Sequence, residues 1–504
     1  MGIIQKQTLK GSVYSYIGVL VGFLNMAILS PKIFTPEQIG LTQVMLAIAT
    51  ILSQLGNLGF IDLSNRIFPW FREASTSHRG FLGLGLLVTF TGTLIVVLLL
   101  IFNVELVVNT YADKTSLLDD YSSLLPLLLV LTIWFSFFDN YVKILYNAVL
   151  GTFLRDLFIR IVNLGLIGLF YFGAIGFDMY VLLYVLNQGL PSLVVLIVWL
   201  VRKREFVIGK FWLWIDKPMA KQLLSLSIYG FIVGLSGIAI SNIDKFLIYY
   251  YLGLEPAGIY TISFFFATLI MIPGRSLGKI AIPVIADAWK RNDLRTIGEV
   301  YTKSCVNQIA IGVLLVAGII GNLDNIYRIL PPEYSGGEWI IILISLSNFI
   351  SNASGASLYV IGASEYYRYQ TWLMLFLIVL IVLANMIFIP LLGIEGAALA
   401  SLIAMIFSSA ARVYIIYVKT RLWPYRKKDF VTITVGVAVT VVAMQMPQLP
   451  LIPDIALRSA IITLPFLLAV YFLNLSDEMK KIMDEAIRMI RGKGAERRAQ
   501  GKKR

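Results

Sequence analysis

Apolar stretches long enough to cross a bilayer follow one another along the whole 504-residue chain, separated only by short polar breaks. A helix rising 1.5 Å per residue needs about 20 apolar residues to span membrane hydrocarbon. Roughly fourteen segments approach that length, near 11–34, 39–65, 80–103, 122–147, 156–176, 179–201, 222–249, 257–281, 303–322, 338–361, 370–391, 396–418, 429–446 and 455–474. No stretch between them is long enough to form a soluble domain. Hydrophobic residues make up 58% of the chain and charged residues 14%, against about 25% charged in a soluble globular protein. A lipid-exposed backbone must satisfy its own hydrogen bonds, so the spans are expected to be helices. A closed barrel would instead alternate polar and apolar residues in segments of about 10, a pattern this sequence does not show. The expectation is an all-α polytopic membrane protein with about 14 transmembrane helices.

The formal net charge is +13, and its placement decides its meaning. Lys and Arg crowd into alternate loops: Arg66, Arg72 and Arg79; then Arg202, Lys203, Arg204, Lys210, Lys217 and Lys221; then Lys290, Arg291, Arg295 and Lys303; then Lys419, Arg421, Arg426, Lys427 and Lys428. Lys32, Lys114 and Arg328 are the main cations of the intervening loops. Basic residues in alternate loops mark the cytoplasmic side. Both termini then fall in the cytoplasm, as an even number of spans requires, and the charge sets orientation rather than attracting nucleic acid. Residues 1–10 carry Lys6 and Lys10 but no cleavage site, so the first span reads as an uncleaved helix. The single cysteine, Cys305, excludes an internal disulfide and reads as buried packing. The single histidine, His78, excludes a site built from several histidines. No metal or cofactor is expected.

The chain also repeats itself. Pro36-Glu37-Gln38-Ile39-Gly40-Leu41-Thr42 is echoed by Glu255-Pro256-Ala257-Gly258-Ile259-Tyr260-Thr261, and Gly176-Phe177-Asp178 by Gly393-Ile394-Glu395. The glycine offsets are 218 and 217 residues. Six spans per copy is even, so both copies insert with the same orientation, and transporters place their substrate cavity between repeats of this kind. The expected division is an N-lobe over 1–201, a cytoplasmic linker over 202–221, a C-lobe over 222–418, two further helices over 429–474 and a cytoplasmic tail over 475–504. The two six-helix lobes are expected to be related by a pseudo-two-fold axis. In the tail, Ser476-Asp477-Glu478 caps a helix on which Met479, Ile482, Met483, Ile487 and Ile490 share a face. That face suits either an interfacial helix on anionic lipid or a solvated basic tail.

Ionisable groups inside spans each cost about 2.5–3.5 kcal/mol on insertion scales and so point to function. Asp62 and Arg66, Asp139 and Lys143, and Asp156 and Arg160 stand four apart, where opposite charges share a helix face. Asp244 and Lys245 are adjacent; with Asp62 and Asp139 they are candidates for gating or ion coupling. Arg275 and Lys279 are also four apart, but both are cations and no acid lies one turn away. An anionic partner should offset them, and a guanidinium beside an ammonium suits a diphosphate. Lys279 could instead snorkel to lipid headgroups. Arg66, Lys143, Arg160 and Arg412 complete the candidate cationic cavity. Asn25, Gln43, Gln54 and Asn57 either line a wet cavity or bond helix to helix.

Several segments resemble a known family. Leu58-Gly59 with Arg66-Ile67-Phe68-Pro69-Trp70-Phe71-Arg72-Glu73 resembles the end of the second helix in bacterial polysaccharide-export proteins. Asp244-Lys245-Phe246-Leu247-Ile248, with Leu252-Gly253 and Ala257-Gly258-Ile259-Tyr260, is similar to their seventh helix and the turn into the eighth. Pro273, Leu277-Gly278 and Pro283 look like the eighth helix. Ile389-Pro390-Leu391-Leu392-Gly393-Ile394-Glu395-Gly396-Ala397-Ala398-Leu399-Ala400 resembles the turn between helices eleven and twelve. The family is the polysaccharide transporter branch, including the Wzx-type O-antigen flippases, of the multidrug/oligosaccharidyl-lipid/polysaccharide exporter superfamily. The resemblance implies a multi-pass protein of the bacterial inner membrane, two six-helix lobes and alternating access. It implies translocation of polyprenyl-diphosphate-linked oligosaccharide from the inner to the outer leaflet, for polysaccharide such as lipopolysaccharide. Membrane lipids and polysaccharide assembly proteins are the implied partners.

Two other readings compete. A cation-coupled multidrug exporter of the same superfamily would want an acid in its first or seventh helix; the first span has none, and Asp244 stands near the outer end of its helix. A membrane glycosyltransferase or polymerase would need catalytic groups in a sizeable outer loop. The outer loops near 103–121 and 323–338 are short, with Glu105, Asp113, Asp119, Asp120, Asp324, Glu333 and Glu338 as their acids. A non-enzymatic transporter is the expectation.

Overall fold

The computed structural model describes residues 3–72, 78–108, 117–145, 148–202, 209–485 and 488. Among them there is no strand. The principal helices are α1 (Val13–Ile33), with a π-helical turn over Leu24–Leu29, α2 (Pro36–Gly56), α3 (Phe60–Phe71), α4 (Phe81–Phe102), α5 (Leu125–Ile144), α6 (Ile159–Tyr171), α7 (Phe177–Arg202), α8 (Lys217–Leu252), α9 (Leu254–Thr268), α10 (Ile272–Lys290), α11 (Leu294–Gly321), α12 (Glu338–Ala353), α13 (Ser357–Gly362), α14 (Tyr367–Leu392), α15 (Ile394–Thr420), α16 (Lys427–Met444) and α17 (Leu451–Phe472). This is an all-α membrane protein of about 14 transmembrane helices.

Eleven helical stretches among the described residues are long and apolar enough to cross a bilayer. The other three expected spans are helical, and each falls short for a local reason. The turn before α6, Phe153–Phe158, is π-helical, which leaves 13 α-helical residues. Helix α12 stops at Ala353, where Gly355 takes a φ of 56°. Helix α16 opens on Lys427, Lys428 and Asp429.

The chain forms two compact units. One comprises Met1–Phe265, Leu330–Gly337 and Thr371–Ala400; the other comprises Phe266–Ile329, Glu338–Gln370 and Ser401–Arg504. The first unit has an aromatic core in which Phe60, Phe68, Phe71, Phe81 and Phe137 are buried together. In the second, Ile285, Ile297, Tyr301, Cys305 and Val360 form one buried cluster, and Ile309, Val313, Phe466 and Val470 another. Cys305 is thus a packing residue. A buried ion pair holds α17: Arg458 Nε lies 2.8 Å from Asp454 Oδ2, and Asn325 Nδ2 donates to the same oxygen at 2.6 Å. The remaining guanidinium donors reach the carbonyls of Ala443 and Met446 at the end of α16, so both charges are satisfied and the pair can persist in a low dielectric. In the tail, Ser476 accepts from the Met479 backbone N–H at 3.2 Å, as its capping role requires. Met479 packs onto the second unit's core while Ile482 is exposed; Ile487 and Ile490 lie outside the described residues.

One pair of the repeated glycine motifs, Gly40 with Gly258, meets inside the first unit. Thr35 and Gln38 form a capping box at the start of α2, with bonds of 3.3 and 3.1 Å, and Pro36 fills the first helical position, where no N–H is needed. One turn later, a methyl group at Gly40 would overlap the Leu254 carbonyl and come within 3.2 Å of the Gly258 nitrogen. In return, a methyl at Gly258 would overlap the Pro36 carbonyl and come within 3.1 Å of the Gly40 nitrogen. Each glycine presses on the residue four positions before the other. This is the self-complementary contact that a two-fold axis produces.

Gly40→Ala and Gly258→Ala should each cost about 1–3 kcal/mol through overpacking and lower the melting temperature of the purified protein. Gly318→Ala, where the added methyl meets open space, should leave it unchanged or higher. Equal melting temperatures for all three variants would contradict the close contact.

Candidate functional site

Two spans expected to be continuous, 39–65 and 257–281, are each broken near the middle. In the first, α2 ends at Gly56, Leu58 and Gly59 take φ of 47° and 73°, and α3 begins at Phe60. A side chain at Gly59 would overlap the Ser227 carbonyl of α8, so the left-handed turn and the close approach both require glycine. Buried Asn57 donates its side-chain amide to the Ser53 carbonyl at 2.9 Å. In the second span, α9 ends at Thr268, Leu269–Met271 tighten into a 3-10 turn, and α10 restarts at Ile272 with Pro273 at its second position. Carbonyls at the break find side-chain donors on α12: Asn348 Nδ2 reaches Ala267 O at 3.0 Å and Asn352 Nδ2 reaches Ile270 O at 2.5 Å. Broken backbone at membrane depth persists only where such partners or a wet cavity satisfy it.

Helix α3 is amphipathic. Phe60, Leu63, Ser64, Ile67, Phe68 and Phe71 are buried against the aromatic core, while Asn65 and Arg66 are exposed and Asp62 is half-buried on the opposite side. Asn140 of α5 pins the buried side, donating to Ser64 Oγ at 2.6 Å. The polar side faces α8 across two glycines: a methyl at Gly230 would lie 2.7 Å from the Asp62 Cβ, and one at Gly234 would lie 2.9 Å from Asp62 Oδ2 and overlap Gln54 Nε2. Arg66 and the exposed Lys143 both lie within electrostatic reach of the Asp62 carboxylate. Gln54, Asp62, Arg66 and Lys143 are thus brought together around the first break.

One of the expected pairs four residues apart gives way to a longer-range partner. No ion pair within 4.0 Å joins Asp62 to Arg66 or Asp139 to Lys143. Asp139 instead meets Arg155 of the next span at 2.5 Å, because Gly151 lets the two helices approach. Asp156 accepts from Ser15 of α1 at 2.5 Å. Arg160 donates to the Gly18 carbonyl, and Asn25 Nδ2 donates to the Arg160 carbonyl at 2.8 Å. Asn25 and Arg160 thus staple α1 to α6, each helix carrying a π-helical turn beside the contact.

A further polar group surrounds the C-terminal part of α8. Buried Asp244 accepts from Tyr260 Oη at 2.9 Å and Asn385 Nδ2 at 2.9 Å. Lys245 Nζ reaches Gln43 Oε1 at 3.4 Å, and Gln43 Nε2 reaches Tyr184 Oη at 3.4 Å. In the second unit, Arg412 is buried on α15 and donates to Ser408 Oγ at 2.7 Å and Ser409 Oγ at 3.2 Å. The backbone places Arg275 in the first turn of α10 and Lys279 in the second; their side chains lie outside the described residues. Sequence reasoning passed over Asn140, Arg155, Asn348, Asn352 and Asn385. An isolated amide in an apolar run is the signal that could have found all but Arg155.

Comparison with known proteins agrees with this fold. No protein-family model matches the chain. It is 22% identical over 203 residues to the probable flippase AglR of Haloferax volcanii, a match covering 39% of this chain and 42% of that relative. The chain therefore spans about two fifths of the length of the curated relative it matches. Among solved structures, the inward closed conformation of the lipid II flippase MurJ superposes with a TM-score of 0.71 at 12% identity, covering 92% of this chain and 99% of that one. An inward-facing multidrug resistance MATE transporter of the MOP superfamily gives 0.58 at 13% identity, covering 80% and 94%. The chain shares the fold of these two solved structures.

Asn348→Leu and Asn352→Leu each leave a break carbonyl without its donor and should cost about 1–3 kcal/mol. The loss should appear as a lower melting temperature. No change in either variant would mean that α12 does not support the broken helix.

Proposed function

We propose that the protein is a flippase that translocates polyprenyl-diphosphate-linked oligosaccharide from the inner to the outer leaflet by alternating access, for cell-surface polysaccharide synthesis. The observation that carries the reading is the broken span present in both copies of the repeat, with cations in the two turns beyond each break. Arg66 follows the first break, and Arg275 and Lys279 follow the second. Gly- or Pro-interrupted spans at corresponding positions of two repeats point to the substrate site of a transporter. A half-helix that restarts inside the membrane directs its positive end at that place, which favours an anion.

The chemistry fits a diphosphate headgroup. Two phosphates and a sugar chain cannot cross hydrocarbon unaided, whereas the prenyl chain can remain in lipid throughout. Arginine offers forked contacts to phosphate oxygens and lysine a mobile point charge. Near the first break, Asp62 beside Arg66 and Lys143 keeps the cations partly neutralised, so the headgroup can be released as well as bound. Asp244, held by Tyr260 and Asn385, is the group we assign to ion coupling, and Lys245 with Gln43 to gating. In this reading the protein lies in the inner membrane of a bacterium with both termini cytoplasmic, and works beside enzymes of polysaccharide assembly.

The buried Asp244 also suits the rival reading of a cation-coupled multidrug exporter, and one assay separates the two. In proteoliposomes, wild-type protein should move a polyprenyl-diphosphate oligosaccharide between leaflets and leave a cationic dye in place. Arg275→Ala combined with Lys279→Ala should abolish translocation without changing folded yield. Normal translocation by the double variant removes the proposed clamp, and dye efflux without glycolipid movement selects the multidrug reading. Asp244→Asn, which keeps the acceptor for Tyr260, should uncouple translocation from an imposed ion gradient; undiminished coupling would release Asp244 from that role.

A further inference from the structure

The second unit holds an apolar groove that the transport reading does not use. A cavity of about 590 Å³ lies among α11, α12, α15 and α16, lined by Ile309, Ala353, Val413, Tyr414 and Phe430. Its volume falls in the range of about 300–1,000 Å³ of small-molecule sites, enough for part of a lipid. A smaller cavity of about 230 Å³ shares Ile433 with it and continues along α16 to Val441. From Phe430 to Val441 the groove follows α16 for about 17 Å at 1.5 Å per residue. That is roughly half of the ~30 Å hydrocarbon thickness, the depth of one leaflet. Tyr414 and Phe430 at its edge are each 68% exposed, so the groove opens on the outside of the unit.

Cations rim one end of the groove, outside a lining whose one charged side chain is Asp429. The segment between α15 and α16 places Trp423 and Tyr425 in its wall, stacked edge to face at 5.6 Å, with Tyr417 5.8 Å from Trp423. Around this collar stand Lys419, Arg421, Arg426, Lys427 and Lys428, against the single acid Asp429. Asp429 is engaged by Arg426 at 3.6 Å, and Lys428 donates to the Asn474 carbonyl. Arg421, turned outward by a φ of 60°, lies over the Tyr417 ring. Among the described residues neither Arg421 nor Lys427 has a carboxylate partner.

A third cation stands behind the wall. Arg412 is 7% exposed, has no carboxylate partner among the described residues, and its Nε finds no acceptor. Its donors rest on Ser408 and on Ser409, which lines the groove, and Tyr425 faces its charge. A buried cation without a counter-ion biases the adjacent cavity toward negative charge.

We propose that this groove binds a membrane phospholipid with an anionic headgroup, one acyl chain lying along α16 and the phosphate held at the rim by Arg421 and Lys427. The aromatic collar takes the glycerol level, where Tyr and Trp partition. Arg412 supplies attraction through the wall and favours an anionic lipid over a zwitterionic one with the same chains. Arg421 and Lys427 are not among the residues assigned to the transported headgroup, so their variants test this site apart from the transport reading.

Native mass spectrometry of the full-length protein from nanodiscs containing equal phosphatidylglycerol and phosphatidylcholine tests this. Wild-type protein should retain one phosphatidylglycerol about tenfold in preference. Arg421→Gln with Lys427→Gln should remove the preference, and Val413→Trp should expel both lipids. If Val413→Trp does not fold, Ile433→Trp fills the groove from the other wall; Leu468→Ala, on exposed α17 surface, should change nothing. Equal retention of the two lipids by wild-type protein overturns the proposal, as does retention unaltered by a folded groove-filling variant. Displacement of the phospholipid by undecaprenyl phosphate added in equal amount overturns the choice of occupant.

Discussion

The contact between Gly40 and Gly258 is the constraint from which the first unit is built. Two helix starts approach so closely that backbone meets backbone, and no residue with a side chain fits at either position without movement. The contact is reciprocal, and the two glycines are the landmarks of the sequence repeat. The sequence repeat thus has a physical consequence here. The same helix in each copy begins at a shared contact and runs from it into the membrane.

Both of those helices then break. Continuous hydrogen bonding is the least costly arrangement in lipid, so an interruption must be supported by neighbours. At the first break, the support is Asn57 and a glycine pressed against α8; at the second, it is Asn348 and Asn352 reaching across from α12. These supports make the half-helices fixed features rather than frayed ends. A fixed half-helix start carries a positive dipole end, and cations in its first turns add to it. In the proposed function, the same arrangement that costs stability is what receives the anion.

The architecture was largely legible in the sequence because hydropathy reports directly on lipid contact. One landmark of the repeat, Gly40 with Gly258, was legible because a backbone contact that close calls for glycine. The breaks were not. Asn57-Leu58-Gly59 and Leu269–Met271 sit inside apolar runs whose hydropathy continues across them, and backbone geometry leaves no trace in that average. The charge pairing was misread for a related reason. Spacing of four residues brings Asp139 level with Lys143 on one helix, but Gly151 admits the neighbouring helix closely enough for Arg155 to take its place. Isolated asparagines were the weakest signal and carried the most structure, since a single amide says nothing about which helix it will meet.

The central claim is that the broken spans receive a diphosphate headgroup. Photo-crosslinking with a polyprenyl-diphosphate oligosaccharide bearing a diazirine next to the phosphates, followed by peptide mapping, tests it most directly. The account predicts adducts on residues 54–66 or 269–279, competed away by unlabelled glycolipid. Adducts confined to lipid-facing surface, or undiminished by that competitor, would contradict it.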